Sequence, residues 1–222
     1  MRKNYVEGEI EQSPGEEIAN AVTHGVGFLL AIAALAVGTV FASMHSSPKV
    51  VTAVAIYGST LCLLYLSSTL YHAFPQGFRA KRIFHIFDHS SIYLLIAGSY
   101  TPIVLCAIPP AIGWTIFGIV WGMALLGVVM KVFLTGRMKA FSDFTYLAMG
   151  WMIVFALKPL WHSIGPHGFA FLAAGGLCYS IGWIFYIVRS IPFAHAIWHL
   201  FVLAGSILHF FAILFYVILP NG

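Results

Sequence analysis

Charge is what this chain has least of. Only 8% of its 222 residues are Asp, Glu, Lys or Arg, against about 25% in a soluble domain. Residues 18–48, 50–78, 89–130, 159–188 and 190–222 contain none. Runs of that length exclude a water-soluble globule, since about 20 apolar residues cross the hydrocarbon core as a helix. Strict apolar/polar alternation is also missing, which excludes a transmembrane β-barrel. Cysteine is scarce. Cys62, Cys106 and Cys178 are odd in number, form no CxxC pair and lie in or at the ends of apolar segments, so they serve as small apolar side chains without a disulfide framework. The start of the chain lacks the charged, apolar, then small-residue layout of a cleaved signal peptide. It is acidic instead, with Glu7, Glu9, Glu11, Glu16 and Glu17 ahead of the first apolar run. The basic residues behind the net charge of +4 sit in short loops, a placement that does not suggest nucleic acid as a partner.

What remains is an all-α integral membrane protein. Proline, glycine and charge breaks divide it into seven expected transmembrane helices, near 18–42, 50–72, 84–106, 111–133, 141–161, 169–188 and 194–219. Residues 18–219 then form one seven-helix domain behind an acidic segment, 1–17. With seven spans, Arg2, Lys3, Arg79, Lys81, Arg82, Lys131, Arg137, Lys139 and Arg189 share the N-terminal side, leaving Lys49 and Lys158 opposite. The excess of basic residues predicts a cytoplasmic N-terminus and an outer C-terminus. Gly118 with Gly122, and Gly175 and Gly176 with Gly182, are expected to serve ordinary small-residue helix packing.

Ten histidines stand out against this background. Hydrocarbon offers an imidazole nothing, so a histidine there needs a partner, and a metal ion is the strongest. His195-Ala-Ile-Trp-His199 puts two rings on one helical face, about 6 Å apart along the axis. The expected topology brings His24, Ser68, His72, His85, Asp88, His89, His195 and His199 to the cytoplasmic side. His45, His162 and His167 fall at the outer face as solvated or interfacial residues, and His209 is unassigned. Three imidazoles from His72, His195 and His199 suit Zn²⁺ with a fourth position left for water, whose pKa then falls toward about 7. Asp88 is placed to act as general base, and Ser68, on the His72 face, to hold the water or a developing oxyanion. Two alternatives stay open. These are hydrogen-bonded structural histidines, and the second i,i+4 pair His85/His89, whose His85 lies near the basic loop and is expected to be wetter. Three imidazoles also suit copper, nickel or iron.

Four segments, in order, are Glu16-Glu17-Ile-Ala-Asn-Ala-Val-Thr-His24-Gly-Val-Gly27, Ser68-Thr-Leu-Tyr-His72, Asp88-His89-Ser-Ser-Ile-Tyr-Leu-Leu-Ile-Ala-Gly-Ser-Tyr-Thr-Pro102 and His195-Ala-Ile-Trp-His199. Together they resemble the bacterial hemolysin III family of the progestin and adipoQ receptor group, over nearly the whole chain. The resemblance implies a seven-helix bundle with a cytoplasmic N-terminus in the bacterial inner membrane. It implies zinc on His72, His195 and His199, with Ser68 and Asp88 completing a site like that of the lipid-amide-cleaving alkaline ceramidases. It leaves His24, His89, Tyr100 and Thr101 as supports of the ligands or as helix packing.

Three functions follow as expectations. The first is a hydrolase of an amide or ester bond in a membrane lipid, working through a zinc-activated water. The second is a receptor-like regulator of membrane lipid or energy homeostasis, with a structural zinc joining spans two and seven. The third is a hemolysin-like pore, for which the continuous polar stripe is lacking. Membrane lipids are the expected partners, and association with further copies of the chain stays open.

Overall fold

The computed structural model describes residues 12–134, 139–188 and 190–219. Glu7, Glu9, Glu11, Arg2, Lys3, Arg137 and Arg189, which enter the charge pattern, lie outside the described residues. Every regular element described is helical: α1 (Pro14–His45), α2 (Pro48–Ala73), α3 (Arg79–Cys106), α4 (Pro110–Leu134), α5 (Lys139–Gly150), α6 (Leu157–Ile187) and α7 (Ala194–Ile213). A 3₁₀ segment, Met152–Ala156, joins α5 to α6, and a π-helical turn, Leu214–Ile218, follows α7. Pro14, Pro48 and Pro110 open α1, α2 and α4, at the position where a missing N–H costs nothing. Ser13 caps α1. Its hydroxyl accepts from Glu16 N at 3.3 Å while Glu16 Oε2 accepts from Ser13 N at 2.9 Å, a reciprocal box. The helix therefore starts ahead of the expected residue 18.

Six helical runs are long and apolar enough to cross a membrane: Pro14–His45, Pro48–Ala73, Arg79–Cys106, Pro110–Phe133, Phe141–Ile187 and Ala194–Ile218. The fifth holds 47 residues. A straight helix of that size would measure roughly 70 Å, more than twice the hydrocarbon core. It is not straight. Gly165 has φ 65° and ψ −177°, a conformation reserved for glycine. Across it, Trp151 Nε1 donates to Ser180 Oγ at 3.1 Å, and the Trp161 and Phe169 rings lie 5.2 Å apart. A continuous helix would hold both pairs far apart, so the chain folds back at Gly165.

The expected helix over 141–161 is also interrupted, by the 3₁₀ segment. Breaking a helix in an apolar setting strands backbone groups, which must be satisfied inside the protein. Tyr100 does this. Its hydroxyl donates to Gly150 O at 2.7 Å and accepts from Ile153 N at 2.9 Å. Thr101 Oγ1 accepts from Trp121 Nε1 at 3.1 Å, so both α3 residues serve packing.

The burial pattern is inverted relative to a soluble protein. Large apolar residues such as Leu29, Met44, Leu126 and Phe155 face outward, while Asn20, His24, Ser68, His72, Asp88 and His199 are buried. α3 is the most enclosed span. Where α2, α6 and α7 meet, Ser206 Oγ accepts from Tyr65 OH at 2.8 Å and lies 2.9 Å from Tyr179 OH, and Tyr57 OH donates to Ser206 O at 3.2 Å. His209 Nε2 bonds Leu172 O at 3.2 Å, which makes it a link between α7 and α6. Of the glycines expected to pack helices, Gly175 and Gly182 sit against His209 and Phe201, whereas Gly118, Gly122 and Gly176 face open space.

Gly27 is a sensitive contact. A Cβ there would come 2.6 Å from Tyr65 Cδ1, and Tyr65 is held by Ser206. Gly27→Ala is expected to lower stability by about 1–3 kcal/mol through overpacking, read as a lower unfolding temperature in detergent. Gly118→Ala, with nothing nearby, should leave that temperature unchanged or higher.

Candidate metal centre

Two helices bring three histidines to one point. His72 stands in the last turn of α2, and His195 and His199 stand on successive turns at the start of α7. One ring nitrogen from each lies within 4.8 Å of the others. Points so spaced share a centre no more than about 2.8 Å from each, close to the roughly 2.1 Å of a Zn–N bond. Among the described residues, this is the one group of three or more His, Cys, Asp or Glu side chains placed to hold a metal ion. Ring centroids are 5.1 Å apart for His72–His195, 5.2 Å for His72–His199 and 4.6 Å for His195–His199.

The outward nitrogens fix which atoms face inward. His72 Nδ1 lies 2.7 Å from Glu17 Oε2. A carboxylate only accepts, so Nδ1 carries the proton and Nε2 the lone pair. His199 Nδ1 lies 3.3 Å from Asn20 O, with Thr23 Oγ1 at 3.2 Å. A carbonyl also only accepts, which again leaves Nε2 as the lone-pair atom. The Nε2 atoms of His72 and His199 are buried without hydrogen-bond partners. An unmet buried polar atom costs about 1–3 kcal/mol, and a shared cation removes that cost for both. The donor set therefore fits a metal ion, with outer hydrogen bonds of the kind that orient metal-bound histidines.

Helix α1 supplies this outer layer. Glu17, Asn20, Thr23 and His24 share the face that meets α2 and α7. The His24 ring stacks on His199 at 3.4 Å with 9° between planes and meets Tyr65 edge-on at 5.0 Å. Both His24 nitrogens are buried without partners. Glu16 Oε1 accepts from Phe193 N at 3.1 Å. Phe193 is the left-handed N-cap of α7, with φ 59°, so the first turn of α1 also braces the start of the helix that carries two of the clustered histidines. Glu17 is the residue of this outer layer that sequence reasoning did not single out. Its signal was an acidic side chain placed seven residues before His24 at the edge of an uncharged run.

The remaining candidates stand on α2 and α3. Ser68 Oγ, one turn before His72, is buried and has no hydrogen-bond partner. Asp88 is buried on α3 beside His89, whose Nδ1 lies 3.7 Å from Asp88 Oδ2. Tyr71 connects the two regions, with its ring 4.6 Å from that of His72 and 5.2 Å from that of His85. His85 is buried, not wet as expected from its nearness to the basic loop, because Tyr71 and His89 enclose it. His45, His162 and His167 are exposed and take no part in the cluster.

The inverted burial and the three-histidine cluster define the class: a multi-pass α-helical membrane protein with an internal candidate metal centre. The profile of haemolysin-III related proteins matches residues 13–210, and the chain belongs to that family. It is 47% identical over 203 residues to Hemolysin-3 of Bacillus cereus, covering 91% of this chain and 92% of the relative. It is 32% identical over 207 residues to the human Monocyte to macrophage differentiation factor, covering 89% and 83%. It is 28% identical over 191 residues to the Heptahelical transmembrane protein ADIPOR2 of Oryza sativa subsp. japonica, covering 76% and 82%.

Purified chain is expected to carry metal that the His195→Ala/His199→Ala variant lacks and that a His162→Ala/His167→Ala variant keeps. Elemental mass spectrometry of the three proteins reads this directly.

Proposed function

We propose that the chain is a zinc-dependent hydrolase acting on an amide or ester bond of a membrane lipid. The observation that carries this is the convergence of three imidazoles with the unpartnered Ser68 hydroxyl one turn from His72, beside a helix bearing the buried Asp88. His72, His195 and His199 would hold the ion. When bound, zinc supplies Lewis acidity that polarises a carbonyl and acidifies water. The chain's own groups do the rest. Asp88 accepts the proton of the attacking water as general base. Ser68 Oγ donates a hydrogen bond to the oxygen on which negative charge grows. Glu17 and Asn20 keep the His72 and His199 lone pairs pointed inward.

The proposal includes the topology. Residues 18–219 form one seven-span domain in the bacterial inner membrane, behind the acidic segment 1–17, with the N-terminus cytoplasmic and membrane lipids as partners. The fold-back at Gly165 supports seven crossings, since it divides the 47-residue run into arms of roughly 20 residues, about one bilayer crossing each. The rice relative is named heptahelical. The excess of Arg and Lys on the N-terminal side supports the orientation. Fusing a fluorescent protein or a phosphatase to the C-terminus should give a dark fluorophore and an active phosphatase, because each works on one side only. The opposite pair of signals would overturn the orientation.

A regulator is the second proposal. The layer around the cluster ties α1, α2 and α7 together, so an ion there would clamp helices whether or not it catalyses. A hemolysin-like pore has less support, although the Bacillus cereus relative bears that name. Asp88→Asn separates the first two. The hydrolase is expected to lose lipid amide or ester turnover in this variant while keeping its zinc. Retained turnover would remove Asp88 from its role. An inactive wild type whose helices loosen on chelation, seen by hydrogen exchange, would favour the regulator.

A further inference from the structure

Lys81 is a buried lysine at the first turn of α3. An ammonium at such a place must be fully matched, and its contacts show with what. Nζ donates to Glu17 Oε1 at 2.7 Å and to Tyr71 O at 3.1 Å, and lies 4.7 Å from the Tyr71 ring centroid. Tyr71 O belongs to the last turn of α2, where carbonyls lack intrahelical partners and a cation is favoured. Glu17 divides its two oxygens. Oε1 takes Lys81 and, at 3.2 Å, Gln76 Nε2, while Oε2 takes His72 Nδ1 at 2.7 Å. The ammonium thus grips the residue before His72 through its backbone and the acceptor of the His72 ring through its carboxylate.

We propose that Lys81 is a positioning residue of the metal centre: by holding Glu17 Oε1 and Tyr71 O together, it keeps Glu17 Oε2 on His72 Nδ1 and so sets the affinity of the site for its metal. This rests on the metal-centre reading of His72, His195 and His199. Without Lys81, Glu17 loses its charge partner, and only the longer bond from Gln76 Nε2 is left to hold Oε1 and so aim the second oxygen at the ring. His72 Nε2 is then no longer reserved as a lone-pair atom. Losing such outer hydrogen bonds typically weakens metal binding by about 10- to 100-fold.

The test uses the full chain in detergent, with zinc affinity read by chelator competition and the His72 tautomer read by ¹⁵N magnetic resonance of metal-free protein. Wild type is expected to show His72 protonated at Nδ1. Lys81→Met and Glu17→Gln are each expected to bind zinc about 10- to 100-fold more weakly, with the double variant no weaker than the worse single one. Lys81→Gln, which keeps a donor for Tyr71 O but no charge, should fall with them and serves if Lys81→Met does not fold. Wild-type affinity in a folded Lys81 variant would overturn the proposal. So would losses that multiply in the double variant, or a wild-type His72 protonated at Nε2. Absence of zinc uptake by wild type would sink the metal-centre reading itself. Lipid turnover enters none of these outcomes, so failure of the hydrolase proposal leaves this one standing.

Discussion

The 2.7 Å bond between Glu17 and His72 shows the constraint under which the whole interior is built. A polar group surrounded by apolar helices has no water to fall back on, so its hydrogen-bond partner has to come from another part of the chain. Glu17 matches His72 and Lys81, Asn20 O matches His199, and Glu16 matches the N–H of Phe193. All three acceptors come from the first two turns of α1. That helix otherwise turns large apolar residues outward, and its capped start is where it meets the rest of the polar interior.

The same rule explains the irregular backbone. Helix α5 stops and a 3₁₀ segment follows because the Tyr100 hydroxyl takes up both the carbonyl and the N–H that the break strands. Ser206 performs a comparable service for three tyrosines. Tyr65, one of these, is also the edge against which His24 rests, and His24 in turn lies flat on His199. Packing deep in the bundle is thereby transmitted to the orientation of a ring of the three-histidine cluster through direct contacts.

Much of this was legible in the sequence. The uncharged runs marked the helices, and His195 with His199 marked a polar face, because both signals depend only on local periodicity. His72 entered from the shared membrane level of its helix end. Glu17 and Lys81 were visible only as charges at the ends of spans, where they contribute to topology and solubility. Their pairing joins residues 64 positions apart, a separation that no local pattern encodes. The 3₁₀ segment was likewise hidden, since Met152–Ala156 is as apolar as its neighbours and the partner that permits the break is Tyr100 on another helix.

By itself the sequence determined that this protein is a multi-pass helical bundle with imidazoles near helix ends. Hydropathy and the 3.6-residue turn are properties of the chain's own covalent order. Only the tertiary structure decided that His72, His195 and His199 meet, that their free nitrogens are the Nε2 atoms in His72 and His199, and that α1 stands behind them. Those facts depend on which helix faces lie against each other. That choice is made by burial and by hydrogen-bond matching between segments far apart along the chain.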